Sequence, residues 1–152
     1  MNDEYQIEVR LEIPEDRDGF FRRQCPACEG EFKAHAGDHN VGIVTHYCPL
    51  CGTPESADNE HWLTPEQTEF MTESALSGGL DDVLDQVFSD LSSKHFKVNR
   101  TGSMAPEPPS PITEPNDMSI IVPPCHEDEP IKVPDDLTGP FHCLVCGQRF
   151  AV

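Results

Sequence analysis

The chain has 152 residues, of which 36% are apolar, and a formal charge of −18. So little apolar material excludes one large core and points to small modules held by disulfides or a metal. The charge disfavours strong non-specific nucleic-acid binding at physiological salt and favours basic partners.

The amino-terminal stretch MNDEYQIEVR carries no signal-peptide pattern, and no apolar run in the chain reaches membrane-spanning length. A soluble, cytoplasmic protein is expected. In a reducing compartment seven cysteines, an odd number, suit metal better than a full set of disulfides. Residues 5–13, YQIEVRLEI, put Tyr5, Ile7, Val9, Leu11 and Ile13 on one face, which predicts a half-buried strand ended by Pro14.

Next come Cys25, Cys28, Cys48 and Cys51, as CxxC, nineteen residues, CxxC. Two intervening residues let the chain turn while both sulfurs point inward. Pro26 and Pro49 pre-set the turns, and Gly30 and Gly52 are expected to supply backbone freedom after them. Four thiolates in a tetrahedron select zinc over hard cations and leave no open position, so the site is expected to be structural. Between the pairs, EFKA and VGIVTHY can form a hairpin around GDHN.

Residues 19–52, two knuckles joined by a short hairpin, resemble a zinc ribbon, and with the following EHWLTPEQ they resemble poorly characterised bacterial proteins carrying ribbon modules. The resemblance implies a fold and zinc, and no reaction.

A helix should start at Thr64 (N-cap), Pro65 (first position) and Gln67 (capping box). Leu76, Leu80, Val83, Val87 and Leu91 hold one helical stripe across Gly78 and Gly79, so either two helices or one weakened long helix fits. Seven prolines between Asn99 and Pro124 read as a semi-extended linker, with MSIIV as a short strand opening the last module.

In that module Cys143 and Cys146 form a third knuckle and Cys125 is the third ligand. The completions left open are His126, His142, or an open site closed by water, Asp128 or Glu127. His126 is preferred, because the turn after Pro123 and Pro124 lets adjacent side chains converge, whereas the knuckle already commits the direction of His142. Only a water-completed site would leave room for hydrolytic chemistry. Around the first ribbon, Arg22, Arg23 and Lys33 are the candidate nucleic-acid contacts.

The expectation is therefore a small, metal-stabilised α+β protein with two structural zinc ions. Its parts are an N-terminal strand plus zinc ribbon (1–53), an acidic amphipathic helical segment (54–98), a proline-rich linker (99–119) and a second ribbon-like module (120–152). It is read as a non-enzymatic adapter or regulatory subunit binding a protein with a basic or apolar groove. A nucleic-acid accessory factor is the alternative, and no membrane is involved.

Overall fold

The computed structural model of the chain describes residues 13–35, 42–91 and 107–152. The strand expected over 5–13 falls outside these residues except for Ile13, as does the GDHN turn. Two compact units emerge, one formed by Ile13–Pro65 with Thr113–Val152, the other taking in Glu66–Ile112.

The first unit repeats one device, strand, turn, strand. Strands β1 (Phe20–Gln24) and β2 (Glu31–His35) flank the Cys25 knuckle, β3 (Thr45–Tyr47) and β4 (Pro54–Ser56) the Cys48 knuckle, β5 (Met118–Ile121) and β6 (Ile131–Pro134) the Cys125 turn, and β7 (Phe141–His142) and β8 (Arg149–Phe150) the Cys143 knuckle. Every pair is antiparallel. The knuckle itself closes each of the three CxxC hairpins. The N–H of Cys25 donates to Gly30 O at 3.0 Å and that of Glu29 to Cys25 O at 2.9 Å; Cys48 with Thr53 and Gly52, and Cys143 with Gln148 and Gly147, repeat the pattern. Because the chain reverses at the cysteines, EFKA does not pair with VGIVTHY. β2 lies instead between β1 and β6, and β3 pairs with β4.

The residue four after the first cysteine takes the left-handed conformation in all three knuckles: Glu29 (φ 60°), Gly52 (76°) and Gly147 (75°). Gly30 thus serves a different purpose from the one expected. A Cβ there would stand 2.6 Å from Leu50 Cδ1 and 3.2 Å from Cys28 Sγ, so its role is close approach.

The sheet order β1-β2-β6-β5 joins both cysteine modules through the β2–β6 pairing. The boundaries expected at 53 and 120 therefore do not separate independent beads. Side chains alternate across this sheet. Phe32, Ala34, Ile121, Ile131 and Val133 face a core completed by Trp62, Phe141, Leu144 and Phe150. Trp62 stands edge-on to Phe32 and donates its indole N–H to Ser56 O at 2.7 Å. The other face carries Arg22, Lys33 and Lys132, tied to the 16–18 turn and to residues 114–117. The last part of the expected linker is thus strapped to the sheet.

In the second unit, helix α1 (Pro65–Leu91) runs unbroken through Gly78 and Gly79. It starts at the expected proline. Each interior glycine weakens it by about 1 kcal/mol relative to alanine. Among the described residues no helix is long and apolar enough to cross a membrane.

Candidate metal centres

The β1–β2 and β3–β4 hairpins bring Cys25, Cys28, Cys48 and Cys51 together, with all four sulfurs within 4.8 Å of one another. Sγ of Cys25 lies 3.7 Å from that of Cys51, and Sγ of Cys28 lies 3.8 Å from that of Cys48. A tetrahedron with metal–sulfur bonds of about 2.3 Å separates its sulfurs by about 3.8 Å. These distances are far beyond a disulfide bond and match the edge of a coordination tetrahedron. Backbone N–H groups of Ala27, Cys28, Gly30 and Leu50 point at the sulfurs from 3.3 to 3.5 Å, where they stabilise thiolate charge.

The second centre gathers Cys125, His126, Cys143 and Cys146, again within 4.8 Å. Cys125 Sγ is 3.5 Å from Cys146 Sγ, and His126 Nδ1 is 3.3 Å from Cys143 Sγ, close to the roughly 3.5 Å expected between sulfur and nitrogen on one zinc. Two successive turns, His126 N to Pro123 O and Glu129 N to His126 O, let the adjacent Cys125 and His126 converge. His142 turns away from the cluster and reaches Gly147 O with Nδ1 at 3.3 Å. The fourth donor is in place without water, Glu127 or Asp128.

Packing the sulfurs together is electrostatically costly until a cation joins them. Burial, followed by the neighbouring sulfurs, pushes the Cys125 thiol up to about 12, and burial pushes Cys48 up as well. Burial also acts against Cys51, but the Thr53 hydroxyl, with Oγ1 3.2 Å from Sγ, and the Thr53 N–H outweigh it and bring that thiol down to about 7. A bound dication reverses the penalty by deprotonating its thiols outright. Both donor sets are consistent with two structural zinc ions, and both clusters are compatible with zinc ribbons.

The three cations expected at a nucleic-acid contact are all engaged within the protein. Arg22 pairs with Glu31, Glu114 and Asp117 at 2.7 to 2.9 Å. Lys33 is fully buried against Asp16, Glu114 and Asp117. Arg23, 2% exposed, lies over the rings of Phe21 and Trp62 and bonds His46 Nδ1 at 3.1 Å. The acidic partners of Arg22 and Lys33 lie too far along the chain for sequence pattern to mark them, and Lys132 was not singled out either. The available signal was a lysine in the middle of each of two short strands, EFKAH and IKVP, where neighbours are apolar.

Compared with known proteins, the chain matches no family model, no curated protein and no solved structure.

Proposed function

We propose that the chain is a non-enzymatic zinc-binding adapter, in which the two metal centres build a rigid body and the acidic helix recognises a basic, partly apolar segment of another protein. Each centre supplies four protein donors, which leaves no coordination position for a substrate and suits a structural ion. The observation that carries the recognition step is the composition of α1. Over 27 residues it holds seven Asp or Glu and no Lys, Arg or His.

Glu66, Glu69 and Glu73 form one exposed stripe, and with Phe70, Pro109, Ser110 and Ile112 they line a cleft of about 180 Å³. That is below the roughly 300–1,000 Å³ of small-molecule sites but accepts a side chain. Leu76 continues the stripe, 52% exposed. A basic segment with one apolar anchor matches it in charge and shape.

Native mass spectrometry of the chain recovered from its own cells tests this reading beside a Glu66→Lys/Glu69→Lys/Glu73→Lys variant. A stoichiometric protein companion on the natural chain, lost from the variant, supports it. A lone chain, or a companion that the variant keeps, overturns it.

A further inference from the structure

The two metal centres touch each other through their second knuckles in a reciprocal way. Tyr47, just before Cys48, donates its N–H to the carbonyl of Leu144, just after Cys143, at 2.9 Å. His142, just before Cys143, donates its N–H to the carbonyl of Pro49, just after Cys48, at 2.8 Å. Side chains follow the same exchange. A Cβ on Gly52, just after Cys51, would meet the His142 ring at 2.9 Å, and one on Gly147, just after Cys146, would meet the Tyr47 ring at 2.7 Å.

The donor pairs obey the same relation. Cys25 faces Cys51 as Cys125 faces Cys146, and Cys28 faces Cys48 as His126 faces Cys143. With β2 and β6 antiparallel at the centre of the sheet, the two halves are related by a local pseudo-twofold, although one half begins with CxxC and the other with adjacent Cys and His.

We propose that Tyr47 and His142 are cross-positioning residues, each fixing the knuckle of the opposite centre, so that the two metal ions bind cooperatively. The proposal rests on both donor sets holding metal. Closing one centre orders its second knuckle, and that knuckle presents a fixed donor, acceptor and ring to the other. The second centre then forms with part of its ordering entropy already met, which is positive coupling by linkage.

The test is titration of the metal-free, reduced full chain with Co²⁺ and Zn²⁺. Charge-transfer absorption separates the four-sulfur from the three-sulfur centre, and chelator competition gives an affinity for each. In Cys125→Ser/Cys146→Ser the first centre should lose about tenfold or more in affinity, the scale of losing an orienting outer-shell partner. An unchanged affinity overturns the proposal.

That variant removes donors and puts the fold at risk, so His142→Ala provides a second arm with all eight donors intact. It should weaken the first centre, whose four donors do not include His142, and raise the one-metal species in native mass spectra, while His142→Phe restores the ring over Gly52 and the coupling. His142→Ala with natural affinities and an unaltered metal distribution overturns the positioning role. Absence of metal from the natural chain sinks the donor-set reading and the coupling with it, whereas two metals bound independently sink the coupling alone.

Discussion

Lys33 and Lys132 stand directly opposite each other on β2 and β6, and both ammonium groups reach the same carboxylate oxygen, Asp16 Oδ2, at 3.1 and 2.8 Å. Two like charges at neighbouring positions of a sheet repel. Here the repulsion is converted into a clamp, because Asp16 also accepts the N–H groups of Asp18 and Phe20, and Glu114, Asp117, Asn116 and Asp18 complete the cage. The clamp joins the two cysteine modules on the face of the sheet away from the apolar core.

Replacing Asp16 by Asn leaves two buried cations without their shared partner and should cost about 3–5 kcal/mol. Burial by itself would raise the Asp16 carboxyl, but Lys132, the Phe20 N–H and Lys33 outweigh it and hold it well below the usual carboxylate range. A depressed carboxyl contributes stability that is present above its unfolded pKa of about 3.9 and lost as pH falls toward the folded value. Urea unfolding of natural and variant chains should therefore show a constant gap from about pH 5 to 8 that narrows only below about pH 4. A gap that closes between pH 5 and 8 would assign the effect to another group.

The knuckle turns make a second prediction by their mismatch. Gly52 and Glu29 occupy equivalent left-handed positions, yet only one is a glycine. Gly52→Ala adds left-handed strain and a ring contact and should cost about 2–4 kcal/mol. Glu29→Gly removes the strain at the expense of unfolded-chain entropy, and the balance should lie between zero and about 1 kcal/mol of stabilisation. Thermal melts of the zinc-loaded chains compare the two. Equal destabilisation by both would contradict the turn geometry.

Legibility in the sequence followed distance along the chain. The two CxxC pairs of the first donor set, the helix start at Pro65 and the β5 strand within MSIIV are each marked by residues a few positions apart, and all were readable. His126 was readable as a preference, since its turn is local. The partner of β2 was not. Period-two patterning says that a strand has two faces without saying which distant strand it joins, and EFKA found β6 rather than its nearest neighbour in sequence. Arg22 likewise looked like a free cation until Asp117, 95 positions away, closed on it at 2.7 Å.

The choice between the two histidines is settled by metal count. His126→Ala removes a donor and should lower the tightly bound zinc from two to one per chain, or leave a second zinc exchangeable with a mild chelator. His142→Ala keeps every donor, so with zinc saturating it should still hold two ions, and any weakening should fall on the first centre. In Co²⁺-loaded protein the loss should appear at the three-sulfur centre, whose nitrogen comes from His126. Retention of both ions by His126→Ala together with loss of the second-centre ion in His142→Ala would reverse the assignment.

Arg22 and Arg23, adjacent in sequence and on opposite faces of β1, should respond oppositely to removal of their charge. Arg22 meets three carboxylates, and Glu114 among them has a side chain only 3% exposed, so Arg22→Met leaves that buried carboxylate with Lys33 alone opposite it and should cost about 1.5–3 kcal/mol. Among the described residues, Arg23 sits in the apolar layer with only His46, Asn59 and two rings about it, and its Nε is buried without a partner. Burial brings its pKa down to about 10, the mark of a cation held out of water without an opposing charge. Methionine fills a similar volume with no charge to desolvate, so Arg23→Met should range from neutral to about 2 kcal/mol more stable. Chemical denaturation of both variants with zinc saturating decides the matter. A loss above about 2 kcal/mol in Arg23→Met would mean that its ring contacts and two hydrogen bonds outweigh the desolvation of the guanidinium.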